Sequence, residues 1–185
     1  MTTKALTISG IFELYRSAGR AAYRGEQVSQ LEHALQAGFA AEQAGASAAL
    51  IVAALLHDYG HYVHDMEGID ILRGVHDRHD AIGAEALASV FPAAVTEPIR
   101  LHIEAKRYLC ACDPIYLASL SLGSTFSLRV QGGAHSVQQA AEFGALPHAQ
   151  AAAQVRRWDD GAKIAGLKTP DLEHFRRYLA ACWEG

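Results

Sequence analysis

The residues best equipped for chemistry are His33, the pair His57-Asp58, His79, His102 and Asp159. A neutral imidazole and an adjacent carboxylate can reach one metal ion, and the second carboxylate oxygen can reach another, so a single His-Asp pair can anchor two ions. Ten histidines in one chain mean that several are ordinary core or surface side chains. It is the ordered set that points to a metal site. His76 competes with His79, and His79 is preferred because it directly precedes Asp80, a residue suited to cap the helix expected to follow through Val90.

The chain has 185 residues, is 50% hydrophobic and carries a formal charge of -4. That is enough for one well-covered core and short for two, so residues 1–185 are expected to form a single domain. No cluster of Lys and Arg offers the basic face that nucleic acid requires. An anionic ligand must therefore meet a local basic pocket. The three cysteines, Cys110, Cys112 and Cys182, form no disulfide framework and no C-x-x-C, which suits a cytoplasmic protein. Met1 to Ser9 lacks the apolar core of a secretory signal, and the apolar run Ala48 to Leu56 is too short to span a bilayer.

Helix signals recur along the chain and strand alternation does not, so the expected fold is all-α. Ser29 with Glu32 forms a capping box, and Gly45 is placed to stop the helix that carries His33. Ser47 caps the next helix, which delivers His57 and Asp58 at its end, and Gly60 lets the chain turn. Tyr62 to Arg78 reads as a loop. Thr96-Glu97-Pro98 is expected to open a helix that sets His102 and Lys106 four apart on one face, and Asp113-Pro114 to open another. Gly132-Gly133 breaks the chain, Ser136 with Gln139 makes a second capping box, and Pro147 is expected to open a helix toward Gly166 on which Arg156, Asp159 and Lys163 share a face. Thr169-Pro170 then begins a last helix ending near Cys182.

The order His, His-Asp, His, His and a late Asp, all from helices, resembles the HD-domain superfamily of metal-dependent hydrolases and oxygenases, over about Tyr23 to Lys163. A narrower resemblance rests on residues 23–33 (Tyr-Arg-Gly-Glu-Gln-Val-Ser-Gln-Leu-Glu-His), on His61, Lys106, Ser124, Ser127 and Gln131-Gly132-Gly133, and on Arg156-Arg157-Trp158-Asp159. These look like the motifs of the mixed-valent diiron HD oxygenases that cleave organophosphonates. The resemblance implies a single HD-domain helical bundle in which His33, His57, Asp58 and Asp159 hold one iron. Asp58 would bridge to a second iron held by His79 and His102, one ion being Fe(II) and the other Fe(III). It also implies a phosphonate pocket of His61, Lys106, Ser124, Ser127 and Arg156, with His61 assisting proton movement, and a segment in which Tyr23 can occupy an open metal position while Glu26 meets an ammonium.

The implied substrates are O2 and a 1-hydroxyphosphonate with a cationic nitrogen at C2. One candidate is (R)-1-hydroxy-2-(trimethylammonio)ethylphosphonate, giving glycine betaine and phosphate; the other is (R)-2-amino-1-hydroxyethylphosphonate, giving glycine and phosphate. Tyr23, Tyr59 and Tyr62 would offer aromatic surface to the methylated form. The alternative on the same fold is a metal-dependent phosphohydrolase acting on a nucleotide or other phosphate ester. His64, His135, His148 and His174 are expected at the surface or in loops, Trp158 and Trp183 in packing, and Asp160 in a supporting or surface contact.

Overall fold

The computed structural model describes residues 6–23, 26–63 and 78–185. The expectations for His64, His76 and most of the Tyr62–Arg78 loop fall outside the described residues. Among the described residues the chain is helical, as expected, with no strand beyond a single antiparallel bridge between Ala22 and Ser29. The helices are α1 (Ile8–Ala18), α2 (Gln30–Gln43), α3 (Ala48–Leu56), α4 (Gly60–Val63), α5 (His79–Leu87), α6 (Ala93–Cys112), α7 (Pro114–Ser119), α8 (Leu122–Val130), α9 (Val137–Gly144), α10 (Ala149–Gly161) and α11 (Leu172–Cys182). No described helix is long and apolar enough to cross a membrane.

α3 is the axle of the bundle. Its run Ile51 to Leu56 is wholly buried, so it has no solvent face and must be enclosed on all sides. α2 packs along it with Ala34, Ala37 and Ala41, small residues that let the two backbones approach. Phe12 and Tyr15 of α1, Ile99 of α6, Val155 of α10 and Phe175 and Leu179 of α11 complete the enclosure. Each large side chain so buried contributes roughly 1.5–3 kcal/mol. The enclosure leaves His57 and Asp58, which follow directly from α3, at the centre of the molecule.

Both capping boxes form. Ser29 Oγ accepts from Glu32 N while Glu32 Oε2 accepts from Ser29 N at 2.7 Å, and Ser136 pairs with Gln139 in the same way. Gly45 takes a left-handed φ of +68° just after α2, and Gly132 and Gly133 (φ +97° and +77°) break the chain after α8.

Four expected boundaries move. α6 starts at Ala93, not at Thr96, and carries Pro98 inside it; the carbonyl that Pro98 cannot serve belongs to Ala94, which is exposed and open to water. α5 begins at His79 with left-handed Arg78 (φ 50°) in the capping position, so Asp80 lies in the first turn and is not the cap, and the helix stops at Leu87, short of Val90. α10 opens at Ala149, two residues after Pro147, and ends at Gly161, well before Gly166. α11 is capped by Asp171, whose side chain accepts from His174 N, rather than opened by Thr169-Pro170.

Candidate metal centre and anion pocket

Four helices and one tight turn bring the six predicted donors together. His33 is in the first turn of α2, His57 and Asp58 follow α3, His79 opens α5, His102 lies inside α6 and Asp159 near the end of α10; all six are buried. The turn after Asp58 is held by the close approach of Gly60 to the start of α5. A Cβ on Gly60 would lie 2.0 Å from the His79 carbonyl oxygen, so only glycine allows α4 and α5 to meet there.

Asp58 faces two ways. Its Oδ2 lies 3.7 Å from His33 Nε2 and 3.4 Å from His57 Nε2, and Asp159 Oδ1 lies 3.3 and 3.7 Å from the same two nitrogens. Its Oδ1 lies 3.3 Å from His79 Nε2, 3.6 Å from His61 Nε2 and 4.0 Å from His102 Nε2. The two oxygens of one carboxylate thus look into two separate cradles.

The donors are poised for cations. His33 Nδ1 pairs with the Ala162 carbonyl at 2.8 Å, His57 Nδ1 with Ala54 at 2.8 Å, and His102 Nδ1 with Ile99 at 2.7 Å. Each bond fixes the ring and turns its Nε2 lone pair inward. Nε2 of His33 then sits 3.1 Å from Nε2 of His57, and Nε2 of His79 sits 3.1 Å from that of His102. Two inward lone pairs at this distance repel unless a proton or a metal lies between them. Asp58 Oδ2 and Asp159 Oδ1, the carboxylate oxygens of the first cradle, are buried without a hydrogen-bond partner. An orphaned pair of buried carboxylate oxygens beside two imidazoles fits a metal ion.

The electrostatics agree. Burial alone would push the His57 imidazole down, but Asp58 and Asp159 outweigh it and raise it to about 10, the bias of a cradle whose carboxylates favour positive charge. Burial, reinforced by His79 and His57, holds His102 well below the usual imidazole range, in the neutral form a metal needs.

A small cavity of about 40 Å³ adjoins both cradles. Asp58, His79, His102 and Asp159 form one wall; Tyr23, Glu26, Lys106, Ser124, Ser127 and Arg156 are all on its lining. Tyr23 stacks on His33 with ring centroids 3.8 Å apart. Lys106 Nζ donates to Ser127 Oγ at 2.8 Å; burial first, then the Arg156 charge, lowers this lysine to about 7. His61 is the one predicted pocket residue not on the lining. Its ring stacks on His79 at 4.0 Å, and its Nε2 groups with Asp58 and His79 as a possible third donor of the second cradle.

Sequence reasoning left Asp160 between a supporting and a surface contact and did not single out Tyr116; together they form a hub behind the pocket. Asp160 makes the supporting contact, with its side chain 11% exposed: Arg156 donates to it through Nε and Nη2, each at 2.7 Å, Ser124 Oγ donates at 2.7 Å, Lys163 Nζ at 3.1 Å, and the Tyr116 hydroxyl also donates. Arg156 Nη1 meanwhile lies 2.6 Å from Asp159 Oδ2, so one guanidinium ties the metal cradle to the anion pocket. Lys163 reaches the cavity from beyond the end of α10 and shares no helical face with Arg156. One other expectation fails. Tyr59 and Tyr62 pack against Tyr15, at ring-centroid distances of 6.4 and 4.5 Å, and do not line the cavity. His135 lies in the loop before α9, one of its two expected settings, and is buried there with a bond to Glu104 at 2.7 Å.

An all-helical bundle around a His-Asp pair defines the class, and residues 31–123 match the HD domain. The chain is 43% identical over 180 residues to a hydroxymethylphosphonate dioxygenase of Gimesia maris, covering 96% of this chain and 88% of the relative. It is 41% identical over 169 residues to the glycine-betaine-forming 1-hydroxy-2-(trimethylamino)ethyl phosphonate dioxygenase of Leisingera caerulea, covering 91% and 84%. The chain belongs to the HD-domain phosphonate oxygenase family and is a metal-dependent oxygenase.

Proposed function

We propose that this protein uses O2 to cleave the C–P bond of a 1-hydroxyphosphonate, releasing phosphate and the carboxylic acid of the remaining carbon. The atoms balance: R–CH(OH)–PO3H2 plus O2 gives R–COOH plus H3PO4. The observation that carries this reading is the division of Asp58 between two imidazole cradles beside a cavity lined by Lys106, Arg156 and two serines. The relatives named above are dioxygenases, so the phosphohydrolase reading is not taken forward.

His33, His57, Asp58 and Asp159 would hold one iron, and Asp58, His79 and His102 the other, in a mixed Fe(II)/Fe(III) state. When bound, the ions supply the redox chemistry that O2 requires, and imidazole and carboxylate donors suit iron. Lys106, Ser124, Ser127 and Arg156 bind the phosphonate, matching a group of up to two negative charges with charged and hydroxyl donors. Tyr23 guards the metal side of the cavity, and His61, next to Asp58, carries a proton. Asp159 and Arg156 lie beyond residues 31–123 yet face the same cradle and cavity, which supports reading 1–185 as one HD domain.

Glu26 on the cavity wall favours a substrate with a cationic nitrogen at C2, the amine or the trimethylammonium. With Tyr59 and Tyr62 packed against Tyr15, Tyr23 alone of the three tyrosines lines the cavity and offers aromatic surface to the methylated form. The 43% identical relative, a hydroxymethylphosphonate dioxygenase, favours hydroxymethylphosphonate as a second reading. Iron-loaded protein assayed with all three compounds decides. One phosphate released per O2 consumed, with a mixed-valent electron paramagnetic resonance signal perturbed by the accepted substrate, is expected. Phosphate release without O2 uptake rejects the proposal.

A further inference from the structure

The hydroxyl of Ser121 does two things at the head of α8. It accepts from Ser124 N at 3.1 Å, capping the helix, and it donates to Glu26 Oε1 at 2.7 Å, across 95 positions of sequence. Glu26 is otherwise a side chain with three free torsions on a short segment, and a carboxylate left to sample rotamers would meet a ligand at an entropic cost. Its backbone is already braced: Glu26 N donates to Tyr23 O at 2.7 Å, and Tyr23 N donates to Val28 O at 2.9 Å. Ser121 supplies the missing restraint on the side chain. One oxygen of Glu26 is held by the hydroxyl, and the other retains its acceptor capacity.

The helix so tethered also serves the anion pocket. Ser124, one turn on from Ser121, donates its hydroxyl to Asp160, which gathers Arg156 and Lys163, and Ser127 meets Lys106. A single helix of nine residues therefore fixes the carboxylate and presents the phosphonate donors, setting the spacing between the two charge types.

We propose that Ser121 is a positioning residue for substrate choice: by holding Glu26 against α8 it selects hydroxyphosphonates whose C2 bears a cationic nitrogen. This inference rests on the reading of the site as a hydroxyphosphonate oxygenase. Ser121 does not itself line the cavity and acts through Glu26.

The test uses iron-loaded full chain, wild type and Ser121→Gly, Ser121→Thr, Glu26→Gln and the Ser121→Gly/Glu26→Gln pair. Glycine removes the hydroxyl while remaining acceptable as a helix cap. KM is measured for the amino and trimethylammonio substrates and for hydroxymethylphosphonate, or as a competitive inhibition constant for one that is bound without turnover. Ser121→Gly is expected to raise KM for the accepted nitrogen-bearing substrate about tenfold relative to the value for hydroxymethylphosphonate, with kcat changed much less. Ser121→Thr is expected to restore the ratio, and Ser121→Gly to have no further effect once Glu26 is Gln. An unchanged ratio, or a loss that persists in the Glu26→Gln background, overturns the inference. So does a wild-type protein that cleaves hydroxymethylphosphonate and neither nitrogen-bearing compound, although C–P cleavage then stands. Absence of phosphate release from all three rejects the functional reading itself.

Discussion

Lys106 is the residue whose charge state has the most direct consequence. Held at about 7 by burial and by the neighbouring Arg156 charge, it is protonated below that value and neutral above it. Only the ammonium form aids anion binding, so kcat/KM is expected to fall as pH rises through about 7. The kcat profile should shift to higher pH, because a bound phosphonate favours the charged form. Lys106→Met is expected to lower kcat/KM about 10- to 100-fold, the worth of a charge-assisted hydrogen bond, and to flatten that limb of the profile. Steady-state rates from pH 6 to 9 check both. The six proposed metal donors could be picked out in the sequence because their types are chemically distinctive and ordered; the proposed pocket residues came from motif resemblance, and the structure gathers all but His61 on one cavity. Tyr116 and Ser121 could not be picked out: their partners Asp160 and Glu26 stand 44 and 95 positions away, and nothing local distinguishes them from surface polar residues. Tyr59 and Tyr62 misled for the converse reason, since proximity to Asp58 along the chain does not decide whether a ring faces the cavity or Tyr15.

The elements were read best where a cap is made by local chemistry. Ser29 with Glu32 and Ser136 with Gln139 satisfy their own helix ends within four residues, so sequence suffices. Starts read from proline were misplaced at Thr96-Pro98 and at Pro147, because a buried apolar face, Val95 with Ile99, extends α6 backward past a proline whose lost partner is solvated. The junction of α4 with α5 carries its own test. Gly60→Ala must push the His79 backbone away, so a loss of about 1–3 kcal/mol in stability is expected from overpacking. A drop in metal content should accompany it, because His79 opens α5. Chemical denaturation together with metal analysis measures the two effects. If metal content holds while stability falls, the contact serves packing alone.

Across the whole molecule, α3 delivers His57 and Asp58 to a centre that α2, α5, α6 and α10 close with one donor each. Metal binding should therefore brace four helices at once. Chelation is expected to lower Tm by about 5–10 °C, given roughly 2.7 kcal/mol from a ligand at a hundred times its Kd and 2–4 °C per kcal/mol for a chain of this size. Scanning calorimetry with and without chelator tests it, and an unchanged Tm argues against a metal bound across the bundle. Asp58→Asn should leave well under half of the wild-type metal, where substituting a donor of one cradle only would spare the other. The double-facing carboxylate also forbids independence. Whatever the first ion takes from Asp58 in charge and orientation alters what the second is offered, and thermodynamic reciprocity makes the debt mutual. Titration with iron should therefore depart from two identical, non-interacting sites, and neither ion's affinity can be tuned by mutation at Asp58 without retuning its neighbour's.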